Sequence, residues 1–230
     1  MDKLAIVLSI IIANSALGSA NDINLQCTSS APSAAGVTYI RWGRTTCPET
    51  AELVYSGVAG GAKGASLDSA PNSGAGPDVP GGGSNYLCLP SKPQLRQSVS
   101  GIQDTRARIY AVNYRSGDPG ALRKRHHHGA PCAFCQSREG RSQSFMMPAT
   151  TQCPTGWTKE YDGILAAARW NHPRTEHVCL DRNLESTGKT ESDDNRAPIS
   201  YFFEIEVGKD SGFPSAYKPG DDLGCAICTM

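Results

Sequence analysis

Two short closures, Cys132-Ala133-Phe134-Cys135 and Cys225-Ala226-Ile227-Cys228, decide how the 230-residue chain is read. Before each stands a lone Cys-Leu (Cys88-Leu89, Cys179-Leu180), and before that a Cys-Pro (Cys47-Pro48, Cys153-Pro154). Eight residues after the first cysteine of each series comes a tyrosine (Tyr55, Tyr161), and two further on a glycine (Gly57, Gly163). The approaches agree as well, Thr45-Thr46-Cys47-Pro48 against Thr150-Thr151-Gln152-Cys153-Pro154. Intervals between successive cysteines are 41, 44 and 3 residues in the first series and 26, 46 and 3 in the second. The 15-residue excess of the first interval falls in the glycine-rich stretch Gly57–Gly83. Chance does not readily set four cysteines and their flanks in register twice, so the chain is a tandem repeat of residues 37–142 and 143–230.

Working outward from the cysteines, the strand signals dominate. Val37–Trp42, Glu52–Tyr55, Ile109–Tyr114, Ser144–Met147, Trp157–Tyr161 and Tyr201–Val207 are β-branched or aromatic runs with turn-forming neighbours. In the last, Glu204 and Glu206 alternate with Phe203, Ile205 and Val207, the period of a strand with one wet face. Gly163–Trp170 is alanine-rich, but its counterpart Gly57–Lys63 has too many glycines for a helix, so both read as extended or loop. Long polar loops are expected at Gly57–Asn85, Ser91–Thr105, Ser116–Ala130, Asp181–Pro198 and Gly208–Gly224. Loops of that length need ties, and the cysteines supply them, each bridge contributing about 2–4 kcal/mol. The expected fold is all-β: a tandem pair of similar, disulfide-stapled β subdomains with long loops.

The disulfide reading rests on the N-terminus. Lys3 is followed by an apolar run from Leu4 to Ala13, broken only by Ser9, and then by small residues through Ala20. This is the pattern of a secretory signal peptide at residues 1–20, with exits after Gly18 or Ala20, and it is too short for a membrane span. A flexible mature N-terminus follows at residues 21–36. Export places the cysteines where they oxidise. Eight of the nine fall into the repeats, and four per copy allow three pairings between which the residues alone do not choose. Cys27 is left unpaired, or bridges to a second chain. Lys+Arg and Asp+Glu are 22 each, so the chain lacks the basic excess of a nucleic-acid binder. It contains no Asn-x-Ser/Thr sequon for N-glycosylation.

The densest charge feature is Arg123-Lys124-Arg125-His126-His127-His128. Clustered cations attract charged polymers, so these six residues are candidates for binding a polyanion such as a sulfated glycan. Lys124-Arg125 is also a dibasic processing candidate. The plain alternative is a solvated loop tip before Cys132. Three consecutive histidines do not converge readily on one tetrahedral ion, so no metal site is expected. Trp42, Trp157 and Trp170 read as core residues. The Cys-Ala-x-Cys pairs read as structural rather than redox-active, because each ends a repeat after loop residues instead of opening a helix. His172, Glu176 and His177 lack zinc-protease spacing, and Gly188-Lys189-Thr190 lacks the earlier glycine of a phosphate loop. No nucleophile elbow or dinucleotide fingerprint occurs. An enzyme is not expected, nor a cofactor.

The order of motifs resembles the tandem C-terminal non-collagenous domain of type IV collagen. It is closer still to the short-chain, spongin-type collagens, through Tyr39–Cys47, Ala51–Gly61, Gly81–Pro90 and Arg174–Leu180, and the likeness covers residues 37–230. The resemblance implies nested bridges: Cys47 with Cys135, Cys88 with Cys132, Cys153 with Cys228 and Cys179 with Cys225. Two further cysteines per copy of the type IV domain are absent here, and so is any Gly-X-Y run. What the resemblance implies is the globular module alone: a secreted, non-enzymatic structural or adhesive protein of matrix, mucus or a mineralised layer. The alternative is a recognition protein for glycans or microbial surfaces. Its partners are expected among matrix proteins or glycans, with a homo-oligomer as a further possibility and neither nucleic acid nor membrane.

Overall fold

The β-branched and aromatic run Thr38–Trp42 forms the first strand, β1, of the computed structural model. Ten more follow: β2 Ala51–Gly61, β3 Leu87–Pro90, β4 Tyr110–Tyr114, β5 Pro131–Ser137, β6 Ser144–Pro148, β7 Thr158–Ala167, β8 Val178–Asp181, β9 Ala197–Ile199, β10 Tyr201–Phe202 and β11 Gly224–Thr229. The structure describes residues 36–61, 83–94, 107, 109–114, 123–168, 175–188, 197–199, 201–202, 214, 216–217 and 222–230. Among them the sole helical piece is one 3-10 turn, Arg123–Arg125, and the fold is all-β. Residues 1–20, read from the sequence as a signal peptide, residues 21–35 with Cys27, the glycine-rich stretch from 62 to 82, Trp170, His172 and Glu204–Val207 lie outside the described residues.

One sequence expectation needs correction. Gly57–Gly61 is not part of a long loop but the second half of β2, because it pairs with β3 and, at Gly60 and Gly61, with β4. The Cys-Ala-x-Cys closures follow loop residues and open strands β5 and β11, each hydrogen-bonded on both sides.

The strands around each cysteine series pair in a comparable order. The first copy sets β1 beside β5 beside β2, with β3 and β4 on the far side of β2. The second sets β6 beside β11 beside β7, with β8 and β10 on the far side of β7. Even the bulges coincide: β2 leaves Val54 without an opposite residue on β5, and β7 leaves Glu160 without one on β11. The Tyr-x-Gly spacing now has a cause. The Tyr55 hydroxyl donates to the Cys88 carbonyl and the Tyr161 hydroxyl to the Cys179 carbonyl, at 3.0 Å in both cases. Two residues on, a glycine lets the neighbouring strand come close, since a Cβ at Gly57 would meet the Leu89 carbonyl oxygen at 1.7 Å and one at Gly163 that of Leu180 at 1.7 Å.

The described residues belong to one compact unit, Ser33–Met230. Strands of the two copies join directly, β1 running parallel to β8 with Trp42 opposite Leu180, and β4 parallel to β9. Both core clusters draw on both copies. One packs Trp42, Tyr86 and Tyr114 against Ala166, Val178 and Leu180, and the other packs Tyr39 and Cys135 against Tyr161, Leu165 and Cys225. Polar pairs cross the same seam. Arg41 pairs with Asp181 at 2.7 Å, and the Tyr39 hydroxyl donates to Glu160 at 2.7 Å. Glu160 also accepts from Thr50 and Thr229 and pairs with Arg141, so its buried charge is fully engaged.

Candidate functional site

Sulfur and cation are the two chemistries singled out in the sequence, and the fold separates them. Four bridges form: Cys47–Cys135, Cys88–Cys132, Cys153–Cys228 and Cys179–Cys225. In each copy the two closing cysteines face opposite ways. Cys135 and Cys228 reach the cysteine before β2 or β7, while Cys132 and Cys225 reach the cysteine of β3 or β8. The three-residue spacing on a strand supplies the divergence, because odd separations put side chains on opposite faces. Cα separations of 5.7–5.8 Å suit bridging throughout. All eight cysteines among the described residues are therefore bridged.

The basic segment is not the loosely solvated tip that the sequence allowed. After the Arg123–Arg125 turn, His127 takes a left-handed backbone (φ 66°), which brings the chain back alongside β4. The His127 amide donates to the Tyr114 carbonyl at 2.9 Å and the Tyr114 amide to the His128 carbonyl at 2.9 Å. On the other side, the Thr187 amide donates to Gly129 at 3.0 Å and the Gly129 amide to Gly188 at 3.2 Å. His128 Nδ1 lies 3.0 Å from Ser186 Oγ, tying the segment to the loop of the second copy that follows β8. Lys124 is exposed, and Arg125, His126, His127 and His128 are half-buried. The side chain of Arg123 lies outside the described residues.

The histidines do not converge. The rings of His126 and His127 approach to 3.7 Å, while His128 turns to Ser186. Among the described residues no group of three His, Cys, Asp or Glu side chains is placed to hold a metal ion.

The loop clasping this segment is held at its other end as well. Glu185 accepts from the Thr45 hydroxyl at 2.7 Å and amide at 3.0 Å and pairs with Arg44 at 3.2 Å, while its own amide donates to the Gly43 carbonyl. Partial burial alone would raise the Glu185 carboxyl, but the Thr45 donors and the Arg44 guanidinium outweigh it and hold the group below its ordinary value. Sequence reading placed this loop within the long polar stretch Asp181–Pro198 but not its clasping role, which its residues gain only by contact with residues about 140 positions earlier.

The tryptophans divide. Trp42 is buried at the seam, and Trp157 is half-buried, edge-on to Phe145 at 4.7 Å. No helix among the described residues is long and apolar enough to cross a membrane. A comparison with models of known protein families finds none that matches this chain.

Proposed function

We propose that the protein is a secreted, non-enzymatic structural or adhesive module of an extracellular matrix, mucus or mineralised layer, akin to the globular module of short-chain collagens. The observation that carries this reading is the sulfur framework. Every cysteine of the two copies is consumed in bridges that tie strands together, six of the eight sulfurs sit in the buried core, and such a framework persists in oxidising surroundings. The buried carboxylates serve the same end, as Glu160 and Asp181 hold the two copies to each other. Proteomics of separated matrix, mucus, mineral and cytosolic fractions tests the reading. Recovery from an extracellular fraction with the leader removed is expected, and a cytosolic protein with its leader intact would overturn it.

A second reading, recognition of sulfated glycans or microbial surfaces, has one observation in its favour. The backbone at His127–Gly129 is anchored on both sides, so less chain entropy is left to lose when a polyanion binds the adjoining cations. Retention on a sulfated-glycan column that disappears when Arg123–His128 are replaced by alanine would favour it over the purely structural role.

A further inference from the structure

Of the six residues Arg123–His128, three carry a fixed charge and three a charge that depends on pH, since imidazole alone ordinarily ionises between about pH 5 and 8. The fold holds the two kinds side by side. Lys124 is exposed and enters no ion pair among the described residues. His126 and His127 are half-buried, with ring centroids only 3.7 Å apart. Backbone ties keep them there. The His127 amide donates to the Tyr114 carbonyl, and one residue on the His128 amide donates to the Arg125 carbonyl at 2.8 Å. His128 is the anchor rather than a member of the pair, because its Nδ1 stands 3.0 Å from Ser186 Oγ. A hydroxyl accepts as readily as it donates, so this anchor holds whether or not the ring is charged.

The groups packed around the ring pair do not cancel its charge. Burial raises the Tyr114 phenol of β4, on which Arg125, Glu185 and Asp181 also act, and it stays neutral. From β8 and the loop after it come Asp181, paired with Arg41, and Glu185, paired with Arg44 and bonded to Thr45. Both carboxylates are engaged by arginines at or just after the end of β1. The segment itself adds Arg123, Lys124 and Arg125, all of one sign. Each proton taken up by His126 or His127 therefore enters a positive field, and two protons set like charges next to each other. An anion laid across the rings removes that cost.

We propose, resting on the second reading above, that His126 and His127 are an acid-operated gate on a sulfated-glycan site at Arg123–His128. The site binds weakly when the two rings are neutral and tightly when they are charged, and the bound glycan draws protons onto them. Chemistry selects sulfate among the anions. A phosphomonoester takes up a proton of its own near about pH 6 and would offset the gain, whereas a sulfate ester keeps its charge throughout. Glycan binding and proton uptake are reciprocal, so each strengthens the other by the same factor.

The test is calorimetry of the full chain with a heparin oligosaccharide at about pH 7.5 and about pH 5.5, in a series of salt concentrations. Affinity should rise about tenfold at the lower pH, as one or two further cations engage the glycan. Its dependence on salt should steepen too, because each added cation releases more counterions from the polyanion. Buffers of different ionisation enthalpy should register net proton uptake on binding. His126→Gln with His127→Asn should keep the binding at about pH 7.5 and lose the rise; asparagine is chosen because it tolerates the left-handed backbone of residue 127. Lys124→Ala with Arg125→Ala should weaken binding at both pH values. His177→Gln, at an exposed histidine just before β8, should change neither. Absence of binding at both pH values would remove the recognition reading itself and the gate with it. Binding that is equal at the two values, a rise that survives replacement of both histidines, or tighter binding of an oligonucleotide of equal charge would overturn the gate while leaving a polyanion site in place.

Discussion

A methyl group at Gly163 would lie 1.7 Å from the Leu180 carbonyl oxygen, which is backbone and has nowhere to go. Gly163→Ala should therefore cost about 2–4 kcal/mol in denaturant unfolding, and Gly57→Ala a similar amount. Gly156 provides the contrast, with a left-handed φ of 88° but nothing within 4 Å of a Cβ. Gly156→Ala should cost only about 1 kcal/mol, from the backbone alone. Equal losses at all three positions would show that close strand approach is not what the two repeat glycines provide. At Glu160, replacement by glutamine leaves the Arg141 guanidinium without its buried carboxylate and should cost about 3–5 kcal/mol. Val54→Ala, at the same bulge position of the first copy, should change stability by about 0.5 kcal/mol or less, since that side chain faces solvent. Both glycines and both tyrosines stood out in the sequence by their spacing. Their task did not, because the carbonyls they meet belong to strands that only tertiary pairing brings near.

Among the elements, the bridges and the loop after β8 respond to different variables. The outer bridges close 88 and 75 residues and the inner ones 44 and 46. Loop entropy then ranks the double cysteine-to-serine variants: removing Cys47–Cys135 should cost most, about half a kcal/mol more than Cys88–Cys132 on a base of about 4 kcal/mol. Unfolding midpoints that place an inner pair above its outer one would mean that packing around the sulfurs, not chain entropy, sets the order. The clasping loop answers to pH. The Glu185 carboxyl is held lower in the folded chain than in the unfolded one, so its contribution is fully present above the unfolded value and is lost as pH falls through the folded one. Glu185→Gln should flatten the acid side of the stability profile below about pH 4.3, where an unfolded glutamate takes up its proton. An unchanged acid limb would remove Glu185 from the clasp. β1, β4, β6 and the starts of β2 and β7 were readable as β-branched or aromatic runs. β3, β5, β8 and β11 were not, because Leu-Cys-Leu-Pro or Pro-Cys-Ala-Phe-Cys carries little local preference for a strand, and the sheet around them decides.

For the whole molecule, the recurring cysteine pattern was legible and the shared core was not. The cysteines recur at matching spacings, whereas the parallel contact of β1 with β8 depends on side chains that do not recur and leave no periodic trace. A core shared in this way should come apart in one step, and four tyrosines are placed to report it. Tyr39 and Tyr161 lie in one cluster, Tyr86 and Tyr114 in the other. Burial first of all raises all four phenols well above the ordinary tyrosine value, and at Tyr39 the bond to Glu160 raises it further. In the unfolded chain these groups ionise near about pH 10. Above that pH the native state holds protons that the unfolded state has lost, so stability is complete below it and falls as pH rises, by about 1.4 kcal/mol per unit for each phenol. Tyrosinate absorbance from these four should stay silent past the ordinary range and then appear together, coincident with loss of the β-sheet circular dichroism signal. Two separated steps, with one cluster ionising while the other holds, would mean that the two clusters open independently and that the core is not one cooperative body.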